Sequence, residues 1–321
     1  MGAFGLQSHI WNNNLKSLLL LAGFPVLLLV LMYGLSVGYV GLTYQIYTLE
    51  EGLVAALDVM AGAWPFAFLA AFVWFAIAWA FNQQMVKLAV GARSLSRKDA
   101  PDLYNMLENL CISRGVPMPK LNVINTSALN AFASGVDRGS YTITLTSGLI
   151  RTLDDDELEA VIAHELTHIM NRDVRLLIVA VIFVGIFSFF FEILFRNMFR
   201  TGVRVGGHTR SRNGDSRGGG VLIIIAVALI ALAYFLAITI RFALSQKREY
   251  LADAGAVELT KDPDAMISAL QKISGNSDVD APADVQQMMV ENTHKFAGVF
   301  TTHPPIKKRI AALVEFAGGE A

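Results

Sequence analysis

Four stretches of this chain are too long and too apolar for an ordinary folded core. No residue from Ser17 to Leu49, from Ala61 to Phe81 or from Val221 to Ile240 carries a charge, and Leu176–Phe195 holds one acid, Glu192. A helix of about 20 apolar residues crosses a bilayer, because a helix satisfies its own backbone where no water can. The runs predict four transmembrane helices, at about 15–35, 61–81, 176–195 and 221–240. A cleaved leader is the rival reading of the first. Its apolar stretch is too long for that, no A-x-A site closes it, and a second run follows. The chain is 17% charged, against about 25% in soluble domains. A net charge of −1 gives no electrostatic reason to expect a nucleic acid partner. The single cysteine, Cys111, permits no intrachain disulfide and reads as a small buried apolar residue.

Charge at the ends of the runs sets an orientation. Lys87, Arg93, Arg97 and Lys98 follow the second run, whereas Gly34–Asp58, read as a loop, has neither Lys nor Arg. Positive flanks stay in the cytoplasm, which places both termini and the segments 82–175 and 241–321 there. Between the third and fourth runs, Arg196–Gly220 carries six arginines around a Gly/Ser/Asn-rich core and is expected to be a mobile loop. Two full crossings would put those arginines outside, so a shallow hairpin stays open beside them.

The soluble segments carry the chemistry. Helical period marks Asp102–Arg114, short β-rich runs lie at Leu121–Asn125 and Tyr141–Thr146, and Val136–Gly139 has turn chemistry. Thr152 or Asp154 can cap a helix that contains His164-Glu165-Leu166-Thr167-His168. On a helix, His164 and His168 share one face, so both imidazoles can hold one metal ion with Glu165 at its edge. A pair of surface histidines on an amphipathic helix is the bland alternative. A catalytic zinc keeps three protein ligands and one open position. No third histidine follows closely, since Asn171-Arg172-Asp173 comes next, so the third ligand must come from a separate helix. Beyond the fourth run, a helix expected over Gln246–Leu259 puts Glu249 and Asp253 on one face. Glu249 could bind the metal and Asp253 could hold the outer N–H of a ligand histidine. Spacing alone leaves a surface carboxylate pair beside Lys247 and Arg248 equally open. Two further helices are expected, at Pro263–Ile273 and Pro304–Phe316, with a loop at Gly275–Pro282.

Four motifs, in order, resemble the HtpX membrane metalloproteases, relatives of the CAAX prenyl-protein endopeptidase. They are Asn130-Ala131-Phe132-Ala133; Ala163–His168 with Asn171-Arg172-Asp173; Arg248-Glu249-Tyr250 with Asp253; and Thr302-His303-Pro304-Pro305 with Arg309. The resemblance implies an α+β, mainly α, integral membrane protein with a cytoplasmic, gluzincin-like protease domain. It implies one zinc per chain on His164, His168 and Glu249, with Glu165 as general base. It also implies a cell inner membrane location, stress control, and damaged or misassembled membrane proteins as substrates. His303 is the candidate oxyanion donor, with Tyr250 second; a helix-start residue is the plain reading of His303. Asn130–Ser134 could form a strand edge to which an extended polypeptide adds, with Asn130 and Ala131 holding its backbone; a turn asparagine is the plain reading of Asn130. Two rivals stand beside this one. An intramembrane protease would carry its HExxH inside a spanning helix, but charge brackets the motif here. A scaffold or transporter with a vestigial site would place ionisable groups within its spans, which hold essentially none.

Overall fold

The computed structural model describes residues 6–200, 218–279, 289–290 and 304–317. His303, the loop segment 201–217 and residues 280–282 of the expected Gly275–Pro282 loop lie outside the described residues. The chain is mostly helical with one small sheet. It divides into two compact units: Leu18–Ala78 with Ala180–Arg241, and the remainder.

The first unit is apolar helix. It takes most of α1 (Leu6–Thr43) and parts of α2 (Leu49–Ala89), α6 (Asp173–Arg200) and α7 (Gly218–Thr260). All four are long and apolar enough to cross a membrane. Gly34, Gly38 and Gly41 line one side of α1 where α7 packs closely. A Cβ added at Gly34 would stand 3.0 Å from Ile230, and one at Gly41 3.0 Å from Leu222. Small residues allow such approach where no hydrophobic effect drives helices together. Phe24 stacks on Phe183 at 5.0 Å. Phe66, Leu69 and Phe72 of α2 stay exposed, as lipid-facing side chains do.

The expected loop at Gly34–Asp58 is mostly helix. α1 runs through Thr43 and α2 begins at Leu49, leaving only a short turn. Glycine and tyrosine alone did not break it. The Thr48 hydroxyl accepts from the Glu51 N–H at 3.2 Å, and Glu50 and Glu51 sit in the first turn, where the helix dipole favours acids. At about 60 Å, α2 outreaches a hydrocarbon layer of about 30 Å, so its charged ends need not be buried. The helix expected at Gln246–Leu259 is likewise only the end of α7, which runs unbroken from Gly218. Nothing between Ile240 and Gln246 stops a helix.

The second unit holds β1 (Arg93–Ser94), α3 (Pro101–Arg114), β2 (Lys120–Ile124), β3 (Ala131–Ser134), β4 (Thr142–Thr146), α4 (Ser147–Thr152), α5 (Asp155–Met170), α8 (Pro263–Ile273) and α9 (Ile306–Ala317). The strand order is β1-β2-β4-β3, with β2 parallel and β3 antiparallel to β4, so β3 is an edge. Asp154 caps α5: its carboxylate accepts from the Glu157 N–H at 3.0 Å, and Glu157 accepts from the Asp154 N–H at 2.9 Å. Thr152 ends α4 instead. Glu157 is also bound by Ser268 Oγ at 2.5 Å and Lys272 Nζ at 2.6 Å, which staples α5 to α8.

Burial pushes the Glu157 carboxyl up, but Lys272, Ser268 and the Asp154 N–H outweigh it and hold it below the ordinary range. A lowered carboxyl stabilises the fold above its unfolded value and loses that contribution as pH falls through its folded one. Glu157→Gln should therefore cost about 2 kcal/mol near neutral pH, and less in acid. Thermal denaturation of the detergent-solubilised protein across a pH series checks this.

Candidate metal centre

α5 and α7 meet at a glycine. A Cβ on Gly255 would lie 2.4 Å from Thr167 Cγ2, a distance real Cβ atoms do not adopt. Fully buried Ala163 on α5, and Ala252 and Ala256 on α7, keep the surroundings small. This approach brings Glu249 and Asp253, less than two turns before Gly255, to the histidine face of α5. Both are buried, at 4% and 2% exposure, which removes the surface-pair reading.

His164 Nε2 lies 3.2 Å from His168 Nε2 and 3.7 Å from Glu249 Oε2; His168 Nε2 lies 3.5 Å from Glu249 Oε1. A tetrahedral zinc with bonds of about 2.0–2.1 Å separates its donors by about 3.3–3.4 Å, so the three gaps bracket what one ion requires. The outer nitrogens fit as well. His164 Nδ1 sits 2.9 Å from Asp253 Oδ1, and His168 Nδ1 sits 3.2 Å from Asp173 Oδ2. Carboxylates there fix the proton on Nδ1 and aim the Nε2 lone pairs inward. Two lone pairs and a carboxylate then converge with no donor among them, an arrangement that calls for a cation. Burial pulls the His164 imidazole down, but Asp253 and Glu249 outweigh it and hold it up at about 9.

Each orienting carboxylate is itself braced. Arg309, fully buried, donates to both oxygens of Asp253, at 2.8 and 2.6 Å, and its Nη1 lies 3.4 Å from Glu249 Oε2. Arg248, 5% exposed, donates to the Asp173 carbonyl at 3.0 Å and lies 3.4 Å from its carboxylate. The sequence reading gave no role to Asp173. No local sequence signal marks it: Arg172 adopts φ 61°, a reversal uncommon for a side chain with Cβ, and it turns Asp173 back onto His168.

Glu165 lies beside the cluster, 1% exposed. It takes a hydrogen bond from the Ala133 N–H, and its Oε2 has no hydrogen-bond partner among the described residues. Burial pushes its carboxyl up, the two histidines pull it down, and the net shift is upward. The Asn130 side chain is engaged inside the fold: Oδ1 accepts from the Ala131 N–H at 3.0 Å and Nδ2 donates to the Ser277 carbonyl at 2.8 Å. Tyr250 is exposed on α7. His303 lies outside the described residues. The α5 helix is not one of the candidate spans, unlike the motif helix of an intramembrane protease.

Gly255→Ala should push α7 off α5 and lower zinc affinity at least tenfold, and adding Thr167→Ala should restore most of it. Competition with a chromophoric chelator measures both; unchanged affinity in the single variant would remove the role assigned to the close approach.

The sequence profile of Peptidase family M48 matches residues 97–317. A protease HtpX homolog from Bacteroides fragilis is 44% identical over 97% of this chain and 99% of its own length. A protease HtpX homolog from Listeria monocytogenes is 34% identical over 96% and 99%. One from Streptococcus equi subsp. zooepidemicus is 34% identical over 72% and 79%. Among solved structures, the crystal structure of S. mikatae Ste24p aligns with a TM-score of 0.44 at 18% identity, covering 83% of this chain and 67% of that one. With its family profile and near full-length relatives in agreement, the chain belongs to peptidase family M48 and is an HtpX-type metalloprotease.

Proposed function

We propose that this metalloprotease is a zinc-dependent endopeptidase of the cell inner membrane, with its site on the cytoplasmic side, acting on misfolded or damaged membrane proteins. The observation that carries the chemistry is the convergence of His164, His168 and Glu249 donor atoms within 4.8 Å of one another, with Glu165 beside them. Lys87, Arg93, Arg97 and Lys98 after the second apolar run support the cytoplasmic side. The resemblance to HtpX proteases supports the quality-control role and stress control.

In this reading His164, His168 and Glu249 hold one zinc ion. Zinc, when bound, polarises the scissile carbonyl and lowers the pKa of water to about 7. Glu165 takes the attacking water's proton on the oxygen left unpartnered and passes it to the leaving amine. A carboxyl raised by burial suits both halves of that transfer. Asp253 and Asp173 keep the histidines in the ligating tautomer. His303 donates to the developing oxyanion, with Tyr250 the second candidate. The substrate adds as an extended strand to the edge of β3, where main-chain hydrogen bonds accept many sequences. Ala131 offers its carbonyl there, and Asn130 holds the start of the strand in place through its bonds to Ala131 and Ser277.

Glu165→Gln should slow digestion of casein or an unfolded membrane protein by about 10²–10⁴ while keeping one zinc per chain. Near-normal cleavage by that variant, or wild-type cleavage that survives a chelator, would overturn the reading.

A further inference from the structure

The outer edge of β3 is already in use. Successive strand residues direct their backbone groups to opposite sides. The Asn130 carbonyl accepts from the Thr146 N–H at 3.0 Å, on the β4 side. Ala131 and Ala133 therefore address the other side, the side of Glu165. Two residues of the chain itself lie there. Met289 bridges antiparallel to Phe132, and the Val290 N–H donates to the Ala131 carbonyl at 2.9 Å. The Val290 carbonyl accepts from Arg309 Nη1 at 2.9 Å, the nitrogen that lies 3.4 Å from Glu249. Met289 and Val290 are each 2% exposed.

Val290 thus has both backbone groups held, its N–H by the strand edge and its carbonyl by a guanidinium in contact with the candidate metal ligand. Any residue of an extended polypeptide offers the same two groups, whatever its side chain. An edge that recognises backbone alone discriminates poorly between a damaged protein and any other unfolded stretch. An occupant of that edge supplies a threshold.

We propose that Met289–Val290 is an internal pseudosubstrate: it fills the β3 edge and the Arg309 position that a polypeptide must take, and substrate enters by displacing it. This rests on the protease reading above. Competition of this kind weakens apparent affinity by the fraction of molecules with the strand undocked. Substrates that can lay down a long extended segment are then favoured over short peptides.

The test uses the full chain in detergent, loaded with zinc and carrying Glu165→Gln so that bound peptide is not cut. The probe is a fluorescein-labelled, unstructured casein peptide followed by anisotropy. Val290→Pro removes the N–H that Ala131 accepts. Peptide binding should tighten by about tenfold, with zinc content unchanged. Equal or weaker binding would make Met289–Val290 a structural wall and overturn the proposal. Hydrogen exchange covers the case in which Val290→Pro misfolds. In the Glu165→Gln protein, saturating peptide should raise deuterium uptake in the fragment containing Met289 and Val290 and leave β4 unchanged; unchanged or lower uptake there contradicts the proposal. Cleavage by protein retaining Glu165 is scored separately. Peptide binding and strand displacement without hydrolysis would remove the catalytic reading and leave Met289–Val290 only as an occupant that peptide displaces from the β3 edge.

Discussion

Two buried arginine–carboxylate pairs hold this site together. Asp253 orients His164 and is gripped by Arg309; Asp173 orients His168 and is gripped by Arg248. Buried ion pairs are poor investments in stability, since desolvation offsets most of their attraction. Their use here is geometric. They fix which nitrogen of each imidazole carries its proton, and so force two lone pairs and the Glu249 carboxylate to share one small space. The affinity for a cation is built before any cation arrives.

The chain brings these groups together from far apart in sequence. His164 and His168 precede the third and fourth apolar runs, Glu249 and Asp253 follow them, and Arg309 comes from the last described helix. α7 is continuous from its apolar half to Glu249 and Asp253, so no loop intervenes between apolar run and candidate ligand. The contact that admits it is equally economical: one glycine against one threonine, with alanines around them. A larger residue at Gly255 would separate the carboxylate from the imidazoles while leaving every donor in the sequence.

Much of this was legible in the residues. The four apolar runs needed only counting, because a bilayer sets a minimum length and admits few charges. His164 and His168 announce themselves because a four-residue spacing on a helix is a fixed geometry; for the helix start the residues offered Thr152 or Asp154, and the structure takes Asp154. Glu249 was different. Its spacing to Asp253 suited a surface pair as well as a ligand and its orienter, and only family resemblance favoured the second. Long-range packing decides such cases, and Gly255 gives no hint of its partner until Thr167 is in view. Asp173 was missed because its role depends on the positive φ at Arg172, which no local preference predicts. The turn between α1 and α2 was overread as a loop because Gly and Tyr look like punctuation outside a membrane, whereas near one they continue a helix. Met289 and Val290 carry no motif, and their position depends on an edge strand far away in sequence.

Zinc K-edge X-ray absorption on the purified full-length protein tests the central claim most directly. The account predicts one zinc per chain, bound by two imidazoles and oxygen donors at about 2.0–2.1 Å, with no sulfur, since the single cysteine, Cys111, is buried within α3. A spectrum with one imidazole or none, or zinc that stays below stoichiometry at neutral pH, would contradict it.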